Sequence, residues 1–397
     1  MKKIIVIGAS AASVAFISKL RSFDQQSEII CFSGEASIPY NRCFLADFLT
    51  NEQTEQQLQL KPQDFFEKNS VDLRLNSWVK KIDTAGKKVF ADDLWHEYDY
   101  LFLGMGTRPV VPKFMQNLKV DGLFHFHTLS DMQNIKKFIK EYQIKTCVVV
   151  GAGLNGIEAA SSLVDLGLIV NLVEGSNSIL SGQVDHEIAL WLSNFIKKAG
   201  VSLITGQRVI EIGQKKNKVT GVTLDNGLIL SAEMVIVAAG SQVNSDLLHD
   251  TGIALRDTSV VIDHHLKTNL EGVFAGGDLC VVPDMISGKL MRSTTWSDAM
   301  LQGLCAATNL SLVPRIYPGM LGLRDSYFFG MDFYGCGQTV GLDVKVQKVI
   351  KMNQQSFKAF YLQDGQLIGF VLIGDISGLS EYKMWYVTRK IVKNSDF

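Results

Sequence analysis

Val148-Val149-Val150-Gly151-Ala152-Gly153-Leu154-Asn155-Gly156 decides the fold. Three β-branched residues end in an intact G-x-G-x-x-G, and Ile157 to Leu166 continues as a helical pattern. In such a strand–turn–helix unit Gly151 makes the tight turn and Gly153 lets the backbone approach a pyrophosphate. Gly156 packs the helix on the strand, whose N-terminal N–H groups then face the phosphates. Ile169 to Val173 reads as the next parallel strand, and Glu174 ends it about 20 residues past the turn, where an acid accepts hydrogen bonds from a ribose 2′-OH. The same carboxylate repels a 2′-phosphate, so the expected cofactor is NADH rather than NADPH.

The pattern has an earlier copy. Ile4-Ile5-Val6-Ile7 is a buried-strand run, Gly8 breaks it, Ala12 to Leu20 reads as a helix and Glu28 to Phe32 as a second strand. Here Gly8-Ala9-Ser10-Ala11-Ala12-Ser13 keeps only the first glycine, with Ser10 and Ser13 at the other two places. Alone, that turn reads equally as a cofactor cradle or as a structural bend. Glu35 is its candidate ribose acid, a few positions later than the simplest spacing. Val71 to Asp99 alternates short strands and turns, as a small antiparallel insert does. Beyond Pro314 the helix–strand rhythm stops, and Phe357 to Leu362 with Leu367 to Ile373 predicts a hairpin followed by a helix.

Composition narrows the function. In 397 residues, 39 Lys and Arg stand against 40 Asp and Glu, which argues against a nucleic-acid face or a polybasic membrane patch. Hydrophobic residues make up 47% and charged residues 20%, too apolar for a disordered chain, yet no apolar run reaches membrane-spanning length. The six cysteines form no C-x-x-C and no Cys/His cluster, which removes zinc ribbons, iron–sulfur centres and paired-cysteine reductases and fits a cytoplasmic, reducing setting. His264-His265 and His125-Phe126-His127 lack ligand-spaced acids or thiols, so no metal is expected, and the second pair is read as alternating strand positions. Met300 and Met320 are read as core. Met1-Lys2-Lys3 before an apolar stretch has the outline of a secretory leader, but those residues are needed as the first strand and helix.

Three further strand-then-glycine segments complete the picture: Leu101 to Pro109 with Gly104 and Gly106, Val235 to Gly240, and Val273-Phe274-Ala275-Gly276-Gly277-Asp278. In this order they resemble the two-dinucleotide-domain flavoproteins of the pyridine nucleotide–disulfide oxidoreductase superfamily along nearly the whole chain. The resemblance implies an α/β fold with two Rossmann-like domains, for FAD (residues 1–112 and 240–313) and NAD (113–239), and a C-terminal α+β interface domain (314–397). It implies that Gly8, Ser10, Ser13, Glu35, Arg42, Gly106, Gly240, Gly277 and Asp278 bind cofactor, with Asp278 at the FAD ribitol. The helix that opens at Trp296 points its N-terminus at the flavin pyrimidine ring, and Glu158 lies near the nicotinamide. Tyr40-Asn41-Arg42 and Val371 to Asp375 are most similar to NADH:rubredoxin reductases and to the FAD region of assimilatory nitrite reductases. Against the family pattern, Ser10 and Ser13 replace glycines, Gly104 replaces an alanine or threonine, Gln242-Val243 replaces Arg-Pro, and Asp47 stands where ferredoxin reductases carry lysine.

The expected activity is FAD-dependent NADH oxidation, with electrons passed to a rubredoxin- or ferredoxin-type protein. Whether the chain is a monomer or a homodimer stays open. Cys43 carries the alternative: in NADH oxidases and coenzyme A-disulfide reductases a cysteine at this distance faces the flavin. Here the following glycine is missing and the histidine of the peroxidases is Ala11, so the thiol is read as either a small buried hydrophobe or a redox group. A third reading, a degenerate nucleotide-binding interaction protein, rests on Ser10 and Ser13.

Overall fold

The computed structural model describes residues 1–116, 118–311, 313–342 and 345–397. The chain divides into two compact units: Met1–Asn41 with Glu55–Arg108 and Gln242–Gly322, and Arg42–Thr54 with Pro109–Ser241 and Leu323–Phe397. The segment Arg42–Thr54 and the C-terminal region thus cluster with the Gly151 turn.

In the first unit five parallel strands lie in the order Val273–Ala275, Tyr100–Leu103, Lys3–Ile7, Glu28–Phe32, Val71–Arg74. Lys3–Ile7 is buried at four of its five positions, as a strand covered on both faces must be. Helix Ala11–Arg21 follows the Gly8 turn and crosses helix Trp296–Thr308 at Gly303. A Cβ on Gly303 would overlap the Ala12 carbonyl oxygen, so the two backbones touch because residue 303 has no side chain. The expected insert is a three-stranded antiparallel sheet, Lys81–Asp83, Lys88–Ala91 and Leu94–Glu97.

The second unit repeats the plan. Its parallel order is Ser202–Thr205, Ile169–Glu174, Thr146–Val150, Met234–Val237, Leu123–His125, with helix Leu154–Asp165 after the Gly151 turn. Its C-terminal part is an antiparallel sheet in the order Arg324–Phe328, Met331–Gly337, Gln366–Ile373, Phe357–Gln363, Gln347–Met352, followed by helix Leu379–Thr388.

Three expectations change. The strand at Leu123 stops at His125, so Phe126 and His127 are not alternating strand positions. Met300 is 39% exposed on the outer face of its helix, whereas Met320 is core. Cys43 is exposed, unlike the other five cysteines, so it is not a small buried hydrophobe. No helix among the described residues is long and apolar enough to cross a membrane.

Candidate active site

Each half ends its first strand on a glycine held by the second strand: Gly8 N–H donates to Phe32 O and Gly151 N–H to Val173 O, both at 2.8 Å. Both glycines sit at positive φ, +92° and +102°, where a side chain is strained. A Cβ at Gly151 would lie 2.5 Å from Ala238 O, and one at Gly156 would overlap Gly151 O. At Gly153 it would meet only Gln183 Nε2, at 3.9 Å. Two glycines therefore close the turn and the middle one leaves its face open to a ligand. The Gln183 side-chain oxygen near this face is buried with no hydrogen-bond partner among the described residues. A pyrophosphate fits a turn of this build.

Glu174 is fixed where the sequence places the ribose acid. Its Oε2 accepts from Ala152 N at 2.8 Å and its Oε1 from Ser176 N at 2.7 Å. Each oxygen keeps acceptor capacity for a hydroxyl. Glu174→Ala is expected to weaken NADH binding by about tenfold or more and to narrow the preference over NADPH, since a hydrogen bond to a charged group contributes roughly 1.5–3 kcal/mol. Dissociation constants for both nucleotides check this. An unchanged ratio would detach Glu174 from the ribose.

At the first turn Ser10 is the extended N-cap of helix Ala11–Arg21, with no side-chain cap hydrogen bond. Ser13 is fully buried and its Oγ has no partner among the described residues. A Cβ at Gly104 would overlap that oxygen. Two of the departures from the family pattern thus compensate each other: Ser13 fills the space that Gly104 leaves. Glu35 accepts from Tyr40 OH at 2.7 Å. Gly106 sits at φ +58° and accepts from Asn244 N at 3.0 Å, while Arg108 reaches Asn244 Oδ1 at 3.0 Å and Asp246 at 2.6 Å.

Asp278 follows Gly277, which has φ +78° and donates to Gln302 Oε1 at 2.7 Å. Gln302 is fully buried and also donates to Ser293 Oγ at 3.0 Å and Tyr317 OH at 3.3 Å. It ties the Asp278 turn to the Trp296 helix and escaped the sequence reading, because a lone glutamine in an apolar helix has no spacing to mark it. Thr295 caps that helix, accepting from Asp298 N at 3.3 Å. Its positive N-terminal end suits an electron-rich ring edge.

The remaining candidates lie in the second unit. Arg42 donates to His127 O at 2.8 Å, and Cys43 is in the single turn Arg42–Phe44 ahead of helix Leu45–Thr50. Gly240, at φ +100°, accepts from Val110 N at 3.0 Å. Glu158, one turn into helix Leu154–Asp165, accepts from the Ser326 hydroxyl. Burial, with the charges of Asp325 and Asp47 against the Ser326 hydrogen bond, pushes its carboxyl up to about 7. The folded state therefore holds the proton more tightly than the unfolded chain, and stability falls as pH rises from about 4.5 to about 7. Glu158→Gln is expected to flatten that fall. Thermal midpoints of the two proteins that run parallel across the window would show that Glu158 does not titrate there.

Gly8, Ser10, Ser13, Glu35, Gly106, Gly277, Asp278 and Trp296 thus share the first unit, and Arg42, Cys43, Gly151, Gly153, Gly156, Glu158, Glu174 and Gly240 the second.

The family model of the pyridine nucleotide-disulphide oxidoreductases matches residues 2–303. An NADH oxidase of Methanocaldococcus jannaschii is 25% identical over 392 residues, covering 93% of this chain and 87% of its own. A rubredoxin-NAD(+) reductase of Pseudomonas putida is 26% identical over 309 residues, covering 77% and 79%. The crystal structure of a ferredoxin reductase from Rhodopseudomonas palustris superposes with a TM-score of 0.91 at 25% identity, covering 100% of this chain and 96% of that one. With both glycine turns, the acid at Glu174 and the Asp278 strand in family order, the chain belongs to the pyridine nucleotide-disulphide oxidoreductase family and is an FAD- and NADH-dependent oxidoreductase.

Proposed function

We propose that this protein takes electrons from NADH and delivers them to a small redox protein of the rubredoxin or ferredoxin type, in the reducing cytoplasm. The observation that carries the reading is the presence, in one chain, of two strand–turn–helix units with the same hydrogen-bond register, one ending at Glu174 and the other joined to the Asp278 turn. The domain division of the sequence reading, residues 1–112 and 240–313 for FAD, 113–239 for NAD and 314–397 as interface, is part of the proposal.

Bound FAD supplies the chemistry that accepts a hydride and releases electrons singly. The protein supplies position and electrostatics. The Gly8 turn and the N-terminus of helix Ala11–Arg21 cradle the FAD phosphates, Asp278 takes the ribitol hydroxyls, and the Trp296 helix end favours negative charge on the pyrimidine edge. The Gly151 turn and Glu174 orient NADH. Glu158, its carboxyl pushed up to about 7, is only partly ionised at neutral pH, so a share of the molecules carry a proton there that can be donated in a hydrogen bond. Overall, NADH becomes NAD+ and a proton while two carrier molecules each gain an electron. An anaerobic acceptor screen with NADH tests this. Reduction of rubredoxin or ferredoxin well above that of oxygen or disulfides is expected, and the reverse order would reject the carrier.

The exposure of Cys43 favours a second reading, oxygen or small-molecule disulfide reduction through that thiol. The sequence offers it no C-x-x-C partner, so its oxidised state is a sulfenic acid or a mixed disulfide. Anaerobic titration separates the two: a plain flavin is reduced by one equivalent of NADH, a flavin–thiol centre takes up more. Wild type and Cys43→Ser are expected to titrate identically, and an extra equivalent in the wild type alone would replace the carrier reading with this one.

A further inference from the structure

The two halves correspond beyond their glycine turns. From Phe32 at the end of its second strand the first half runs on as Ser33-Gly34-Glu35, and from the equivalent Val173 the second runs on as Glu174-Gly175-Ser176. In each, the turn after the third parallel strand is clamped onto this segment by two backbone hydrogen bonds. Ser77 N donates to Ser33 O at 2.8 Å and Asn76 N to Glu35 O at 3.0 Å. In the other half Gln207 N donates to Glu174 O at 3.2 Å and Gly206 N to Ser176 O at 2.8 Å. Asn76 and Gly206, at φ +53° and +72°, bend the chain in the same sense. The correspondence pairs Trp78 with Arg208 and Gly34 with Gly175.

Both pairs are in contact. A Cβ on Gly34 would overlap the Trp78 indole at Cε2 and lie 2.5 Å from Cζ2 and 2.7 Å from Cδ2. A Cβ on Gly175 would lie 3.1 Å from Arg208 Cγ and 3.6 Å from its Nε. The first half therefore seats the Trp78 ring, and the second the Arg208 stem as far as Nε, on a side-chain-free glycine beside its ribose acid, Glu35 or Glu174. Neither is buried: Trp78 is 70% exposed and Arg208 is exposed. An indole in the open, on a turn fixed by two backbone hydrogen bonds, adds little to the core. A planar side chain next to the ribose can stack on a base, as indole and guanidinium both do.

We infer that Trp78 and Arg208 are equivalent adenine platforms, Trp78 for the FAD of the first half and Arg208 for the NADH of the second. The assignment rests on the proposed division of the cofactors between the two halves. It explains why Gly34 and Gly175 are glycines although neither lies at positive φ: Gly34 leaves room for the indole, and Gly175 for the stem that carries the Arg208 guanidinium, to rest on the backbone.

The experiment is a crossed comparison on the full-length, flavin-loaded protein. FAD release on dilution is followed by the rise in flavin fluorescence, and NAD+, which does not react with oxidised enzyme, is titrated calorimetrically. Trp78→Ala is expected to release FAD about 5- to 100-fold faster, the range for loss of one base–aromatic stack, with NAD+ affinity unchanged. Arg208→Ala is expected to weaken NAD+ by about 5- to 100-fold with FAD release unchanged. Trp78→Phe keeps a ring and is expected to restore retention, whereas Arg208→Lys keeps the charge without the plane and is expected to stay weak. An alanine variant that leaves its own cofactor unaffected overturns the inference, as does Trp78→Phe releasing FAD as fast as Trp78→Ala. So does Arg208→Lys binding NAD+ like the wild type, because charge alone would then suffice. A wild type that holds no FAD and binds no NAD+ would instead reject the dinucleotide reading itself.

Discussion

Gly156→Ala is expected to abolish NADH-driven reduction while the protein keeps its flavin. The new Cβ would overlap Gly151 O and lie 2.9 Å from the Gly151 carbonyl carbon and 3.5 Å from Ala238 Cβ. The first two atoms belong to a backbone pinned by the Gly151 N–H bond to Val173 O, so no rotamer change relieves the clash. Helix Leu154–Asp165 must lift off its strand, taking its N-terminal N–H groups and Glu158 with it. Overpacking of this kind costs about 1–3 kcal/mol in stability, and the nucleotide site is what the displaced helix builds. NADH affinity, from titration with NAD+, is expected to fall by more than about tenfold with the flavin content of the wild type. Unchanged affinity would mean that the Gly151 turn is not the NADH cradle.

Gly303→Ala is expected to act on the other cofactor and on folding. Its Cβ would overlap Ala12 O, 2.9 Å from the Ala12 carbonyl carbon and 3.0 Å from Phe16 N, all of it helix backbone. Relief requires helices Ala11–Arg21 and Trp296–Thr308 to separate, which pulls one end of the Gly8 turn and the Trp296 helix end apart. A loss of about 2–3 kcal/mol is expected, the upper part of the overpacking range. The thermal midpoint should drop by several degrees and the purified protein should carry less flavin. Full flavin content with a wild-type midpoint would show that the contact is not needed.

The sequence carried the parallel core openly, because strands buried on both faces read as β-branched runs and glycine turns follow them: Ile4–Ile7, Val148–Val150 and Val235–Val237 needed no tertiary knowledge. The C-terminal sheet was half legible. Phe357–Gln363 and Gln366–Ile373 are apolar around a Asp364-Gly365 turn, whereas Arg324–Phe328 and Gln347–Met352 are edge strands whose polar residues hide the alternation. In the site, the Gly151 fingerprint and Glu174 were readable because their spacing follows from the geometry of the turn. The serines of the first turn were readable only as departures. Their meaning lies in Gly104, some ninety residues away in the chain, and no local pattern joins it to Ser13. Of the two readings of Cys43 the buried hydrophobe fails, because a lone cysteine ahead of a helix carries no pattern that fixes its exposure; Cys43 is exposed and the next residue, Phe44, is 42% exposed.

The most direct measurement is the absorption spectrum of the purified protein under anaerobic conditions before and after NADH is added. The account predicts a yellow protein with one FAD per chain, whose flavin band bleaches fully with NADH and far more slowly with NADPH. A colourless protein that FAD cannot reconstitute, or a yellow one that NADH leaves unbleached, would contradict it.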